Sequence, residues 1–246
     1  MKSRPEPFDS RRKRNRPFKK KTTPRPDRSQ ARSAPSQPVA KTSRQLAFQL
    51  LQEGDLLNER KQNKQPKLFA TERLEAAFSQ SSFSAEERRL TQELLNGTLR
   101  RKGTLDLLLS ACCQRPLHEL ELPLVWLMRL GAYQLVYLDS IPDHAAVNET
   151  VDVARWYGKQ RWCSYLNGNL RSVIRLFAEA STPVPATQLL PTRSGMTRPL
   201  NSPLLADPQT APLQYLSETA SFPLWLLERL EQRLFSPGSP DFMRMV

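Results

Sequence analysis

A chain of 246 residues with a formal net charge of +13 and a hydrophobic share of 39% leaves room for one or two domains and a modest core. No apolar run reaches the ~18 residues that cross a bilayer, and no apolar stretch backs the basic start as it would in a secretory signal; a soluble, cytoplasmic protein with no membrane partner is expected. Three cysteines (Cys112, Cys113, Cys163) without C-x-x-C spacing and two distant histidines (His118, His144) argue against a structural metal site, which needs clustered ligands. Buried, reduced thiols are the expectation instead.

The charge is concentrated at the start. Residues 1–40 carry thirteen Lys/Arg against three acids, which leaves 24 basic and 21 acidic side chains for the rest. Residues 1–41 are rich in Arg, Lys, Pro and Ser and poor in aliphatics, so they cannot bury enough surface to offset ordering entropy. A disordered basic tail is expected there. Within it Arg11, Arg12, Lys13, Arg14, Arg16, Lys19, Lys20 and Lys21 place eight cations in eleven residues. Such a segment suits sequence-independent attraction to RNA phosphates; the bland alternative is a solvated tail that aids solubility.

From Thr42 to Ala180 proline becomes scarce and leucine recurs at helical spacing, which predicts an all-α bundle of about seven helices. The first spans about Ser43–Glu53, with Leu46, Ala47, Leu50 and Leu51 on one face and Gly54 as its stop. A second covers Phe69–Phe78. A third starts at Ser84, where Glu87 three residues on completes a capping-box pattern, and buries Leu90, Leu94 and Leu95. Arg100, Arg101 and Lys102 follow it. These three either complement the negative end of the helix dipole or contact phosphate, and both roles stay open. Further helices are predicted near Thr104–Cys113, Leu122–Tyr137, His144–Tyr157 and Gln160–Ala180. Seven prolines between 181 and 213 read as an extended linker. Residues 214–246 hold one more amphipathic stretch, the incomplete start of a following domain.

Two stretches are more specific than periodicity. One runs from Leu127-Met128-Arg129-Leu130-Gly131-Ala132-Tyr133-Gln134-Leu135 to Ile141-Pro142-Asp143-His144-Ala145-Ala146-Val147-Asn148-Glu149-Thr150-Val151. The other is Leu166-Asn167-Gly168-Asn169-Leu170-Arg171. Together with Arg44-x-x-Ala47 and Leu94–Arg100, they resemble the NusB-like domain, most closely the version fused to RsmB-type (Sun/Fmu) 16S rRNA cytosine-C5 methyltransferases. The likeness covers about residues 42–176. Gly131 inside a helix is disfavoured by ~1 kcal/mol relative to Ala, which a close helix approach would compensate. Asn148 and Glu149 are read as bonding backbone groups at a helix junction, with direct RNA contact as the other possibility. Asn167-Gly168 is read as a tight crossing of the last helix. Asn169 stands where the family usually has an apolar residue.

Tyr215-Leu216-Ser217 and Ser221-Phe222-Pro223-Leu224-Trp225-Leu226 resemble the motif through which these methyltransferases enter their second half. The resemblance implies a Rossmann-like domain there, binding S-adenosylmethionine and using a cysteine nucleophile in Pro-Cys and Thr-Cys dipeptides. This chain has no Gly-x-Gly, and Ala, Cys and Trp precede its three cysteines. No cofactor and no catalytic residue are therefore expected on it, whether it is a fragment, a frameshifted product or a short paralogue. The reading that follows is an RNA-binding module that positions 16S rRNA for a catalytic domain, with Arg44, Arg100, Arg101 and Lys102 joining the tail cations as candidate contacts. The alternative is a free-standing NusB-type antitermination factor, acting in transcription with a ribosomal protein. A purely structural interaction domain, the third class, would lack salt-sensitive RNA affinity.

Overall fold

The computed structural model describes residues 38–59, 70–79, 81–179, 183–192 and 196–234; all but residues 38–41 of the expected basic tail lies outside them. Seven α-helices occupy the stretch expected to form the bundle: α1 (Ser43–Glu59), α2 (Ala70–Ser79), α3 (Ala85–Arg100), α4 (Lys102–Cys112), α5 (Leu122–Tyr137), α6 (Asp143–Trp156) and α7 (Cys163–Arg175). Two more follow, α8 (Pro212–Ala220) and α9 (Leu224–Leu234). The strands β1 (Leu189–Pro191) and β2 (Thr197–Pro199) are three residues each, so the class is all-α. Among the described residues no helix is long and apolar enough to cross a membrane.

The bundle is built around α5. Every residue from Leu124 to Tyr137 is buried, as a helix that is apolar nearly all round must be. Its two strongly polar members find partners within the fold, although Arg129 Nη1 is buried with no hydrogen-bond partner among the described residues. Arg129 makes a forked ion pair with Asp106 on α4 at 2.7 and 2.9 Å and lies 4.5 Å from the Trp126 ring centroid. Gln134 donates to the Leu130 carbonyl and to Thr150 Oγ1. Helices α1 and α3 cover one side of α5, and α6 and α7 cover another.

Gly131 meets the expectation of a close approach. A Cβ there would stand 2.7 Å from a Leu170 methyl and 3.2 Å from Thr150 Cγ2. The capping box also forms: Glu87 N–H donates to Ser84 Oγ, and Ser84 N–H donates to the Glu87 carboxylate. Gly54, in contrast, does not stop α1, which continues to Glu59. The guanidinium of Arg73 sits against it and donates to Leu50 O and to the Glu53 carboxylate.

The proline-rich stretch is not an extended linker where it is described. A 3-10 turn at Ala186–Gln188 leads into the β1–β2 pair, and Leu190, Leu200 and Leu205 are buried in the main core. Arg198 Nη1 donates to the carbonyl of Leu135 at 2.6 Å, at the end of α5, and its guanidinium lies 4.0 Å from the Phe177 ring centroid. Asn201 side-chain and backbone N–H groups take the carbonyls of Arg175 and Leu176. Proline fixes local geometry but does not prevent burial of the leucines between. Beyond this pair, α8 and α9 turn on Ser221 in a left-handed conformation (φ 62°) and share a small core of Leu216 and Leu227.

Candidate nucleic-acid interface

The tail cations Arg11, Arg12, Lys13, Arg14, Arg16, Lys19, Lys20 and Lys21 lie outside the described residues. The four candidates on the bundle divide. Arg44, on the first turn of α1, points inward: Nε donates to Gln134 Oε1 at 2.6 Å, and Nη1 lies 3.7 Å from the Glu149 carboxylate. Its side chain is only 14% exposed. Burial pulls its pKa down, and Glu149 pushes back. Arg44 therefore closes a polar network with Gln134 and Thr150 rather than offering a free phosphate fork.

Arg101 also turns inward. Its guanidinium donates to the carbonyls of Thr219 (3.0 Å) and Thr192 (3.5 Å) and stands 5.1 Å from the Tyr137 ring centroid. Beside it Thr104 Oγ1 donates to Glu218 O at 2.6 Å, and Thr104 N–H donates to Ser221 Oγ at 2.8 Å. Arg101 and Thr104 are thus the dock of α8 on α4. Arg100 and Lys102 flank Arg101 in sequence but face solvent, and Lys102 Nζ lies 5.7 Å from the Trp126 ring centroid. The triplet is not one patch: two of its cations are available and the middle one is not.

Glu149 bonds a side chain, Arg44, and not a backbone group, which corrects the junction reading for that residue. Asn148 is exposed and lines a cleft between α6 and α7. Asn167-Gly168 is no tight crossing either. The helix runs straight through, and a Cβ on Gly168 would meet nothing within 4 Å. Asn169 is buried and returns its amide to the Tyr165 carbonyl one turn back.

Three cations were not among the candidates read from the sequence: Arg155 in the last turn of α6, and Arg171 and Arg175 on α7, the latter in its last turn. The signal was present, since α7 carries arginines four residues apart and no acid. Lys159 and Arg161 differ from them in both binding Glu121, together with the indole N–H of Trp162. Burial alone would raise the Glu121 carboxyl, but these partners outweigh it and hold it below the usual carboxylate range. Burial pushes the Cys112 thiol up to about 11 and also raises Cys113, which disfavours the reactive thiolate at both.

Residues 41–175 match a family model described as the NusB family. A probable ribosomal RNA small subunit methyltransferase B from Bacillus subtilis is 36% identical over 102 residues, 42% of this chain and 23% of that protein. A protein of the same description from Synechocystis sp. is 29% identical over 191 residues, 78% of this chain and 35% of that protein. A transcription antitermination protein NusB from Nitrosococcus oceani is 34% identical over 82 residues, 33% of this chain and 55% of that protein. The chain thus spans about a quarter to a third of the length of these two methyltransferase relatives.

Proposed function

The chain belongs to the NusB family, and from that premise we propose that it binds RNA as the rRNA-holding part of a small-subunit cytosine-5 methyltransferase. Its task would be to keep 16S rRNA in place while methyl transfer takes place on a separate catalytic domain. The observation that carries this reading is the 191-residue likeness to the Synechocystis protein. It is longer than the stretch 41–175, so it reaches beyond the bundle into flanking sequence. The docked segment supports it too, since Arg101, Thr104 and Arg198 spend their bonds fixing residues that a free-standing bundle does not need.

Methyl transfer and S-adenosylmethionine binding are assigned elsewhere. The chain has no Gly-x-Gly loop, and a thiol raised to about 11 is far from the thiolate a nucleophile requires. A second reading, a free antitermination factor working with a ribosomal protein, has the likeness to the Nitrosococcus protein in its favour.

Ultraviolet crosslinking of the tagged full chain in its host, followed by sequencing of the bound RNA, separates the two. Enrichment of 16S rRNA is the expected result. Enrichment of nascent leader transcripts with a co-purifying ribosomal protein would replace the first reading with the second. Absence of crosslinked RNA would remove both.

A further inference from the structure

The seam between α6 and α7 carries two clefts of about 500 and 450 Å³. Both are lined by Asn148 and Arg171, so they form one trough. Arg155, Ser164 and Asn167 line one half, and His144 and Arg175 the other. Arg171 and Arg175 stand one helical turn apart, ~6 Å along the axis, and Arg155 of α6 shares the first cleft with Arg171.

Each guanidinium is held by one short-range contact on its own helix. Arg171 Nε donates to Asn167 Oδ1 at 3.1 Å, Arg175 Nη2 donates to Ser172 Oγ at 2.7 Å, and Arg155 pairs with Asp152. A guanidinium has five N–H donors, so these contacts orient the forks without exhausting them. Asp152 and Asp143 line the two clefts as well, so against Arg155, Arg171 and Arg175 the trough keeps a net formal charge of +1. Helix α7 has no acid, Asp152 is bound to Arg155, and Glu149 leans on Arg44. Asp143 lies in the first turn of α6, where the helix dipole favours an acid.

Gly168 is the second, independent observation. It sits in the interior of a 13-residue helix, where glycine is disfavoured relative to alanine. Among the described residues nothing comes within 4 Å of the Cβ it lacks. Their packing therefore gives no reason for a glycine there, whereas close approach of an external backbone does. Gly168 shares the outer face of α7 with Ser164, Arg171 and Arg175, spaced at three to four residues.

We propose that the α6–α7 trough is the track for the RNA sugar-phosphate backbone. Arg155, Arg171 and Arg175 take successive phosphates, Asn148 and Asn167 supply neutral donors, and the strand passes closest over Gly168. A row of separated cations flanked by amide and hydroxyl donors matches a linear polyanion bearing phosphates. This rests on the RNA-binding reading above and adds where on the bundle the strand lies.

The test uses the full chain and a fluorescein-labelled single-stranded oligouridylate of about 16 nucleotides, titrated at several salt concentrations. With roughly 0.7 of log–log slope per phosphate, the triple variant Arg155→Gln/Arg171→Gln/Arg175→Gln is expected to flatten the slope by about 2 and to weaken binding at least tenfold at low salt. A control triple, Arg89→Gln/Arg229→Gln/Arg233→Gln, removes the same charge from other helices and is expected to leave the slope as in the parent. Gly168→Leu is expected to weaken binding several-fold while raising the melting temperature, a combination that a merely structural glycine would not give. Parent-like slope and affinity in the first triple would overturn the trough while leaving RNA binding in place. A parent chain that fails to bind the oligonucleotide at low salt would overturn the RNA-binding reading as well. If the triple variant loses affinity for poly-glutamate but not for RNA, the trough serves an acidic protein and the proposal fails.

Discussion

Replacing Gly97 with alanine tests the packing logic of the bundle at its tightest contact. A Cβ at Gly97 would fall 2.0 Å from Cζ and 2.1 Å from the hydroxyl of Tyr133. That ring has little freedom to yield. Tyr133 is 5% exposed, stacks on Tyr137 with centroids 5.3 Å apart, and donates to Glu93 Oε1 at 2.5 Å. Burial and the Glu93 carboxylate both push its pKa up, so the hydroxyl stays a donor. Alanine gains about 1 kcal/mol of helix propensity over glycine. Against this stand overpacking of roughly 1–3 kcal/mol and loss of a charge-assisted hydrogen bond of roughly 1.5–3 kcal/mol. The net expectation is a loss of about 1.5–5 kcal/mol, which for a domain of this size lowers the melting temperature by roughly 3–20 °C. Thermal unfolding followed by far-ultraviolet circular dichroism measures it. In a Tyr133→Ala background the clash is gone, and the same substitution should stabilise by about 1 kcal/mol. A stabilising Gly97→Ala in the parent, or equal losses in both backgrounds, would refute the reasoning.

Arg198→Met removes the 2.6 Å bond to Leu135 O and the contact with Phe177; at about 1–3 kcal/mol it should speed amide exchange in β1 and β2 before the rest of the bundle, and parent-like exchange there would show that another contact holds the pair. Glu121 has a lowered pKa in the folded chain, so its contribution is present above the ordinary 4.5 and lost as pH falls through the lower folded value. Glu121→Gln should therefore lower the melting temperature slightly at neutral pH, by no more than about 1 kcal/mol for a pair this exposed, and not at all in strong acid; a pH-independent difference would exclude the ion pairs as its origin. Deleting residues 1–40 should remove a log–log salt slope of roughly −3.5 if the tail neutralises about five phosphates, leaving a weaker residual slope from the bundle; equal slopes for both chains would place all the electrostatic attraction on the helices.

Much of the bundle was legible because its signals are local. Ser84 and Glu87 announce a capped start three residues apart, and the run from Leu122 to Tyr137, apolar but for Arg129 and Gln134, announces a central helix with the observed bounds. Gly131 was legible as a crossing because a glycine inside an apolar helix needs a neighbour to justify it. The same logic misread Gly168, whose surroundings are open, because sequence gives the spacing of a helix face but not what covers it. The linker reading failed for a similar reason: prolines are counted locally, whereas the stretch holding Leu190, Leu200 and Leu205 is fixed on the ends of α5 and α7, earlier in the chain. Asn148 and Glu149 share a polar pattern yet part company in space, one lining an open cleft and the other meeting Arg44.

The arginines carry the same lesson into function, because charge alone does not tell a phosphate contact from a structural tie. Arg101 and Arg198 both reach carbonyl oxygens at or near helix C-termini, Thr219 at the end of α8 and Leu135 near the end of α5, where unsatisfied acceptors and the negative dipole end hold a cation in place. Arg44 and Arg129 reach side chains on other helices, the buried Gln134 and the half-buried Asp106. All four are fixed by partners distant in sequence. Arg155, Arg171 and Arg175 are bonded only within one turn of their own helices, so the fold keeps its shape without them and they face outward at the seam. Long-range bonding therefore sorts the cations into those that join elements and those left to meet an external anion. The first group fastens α8 and the strand pair to the bundle and so gives the second group a fixed position relative to the segment that follows. An RNA strand held at the α6–α7 seam would then stand at a set distance and angle from α8 and α9, which is what a holding module must provide.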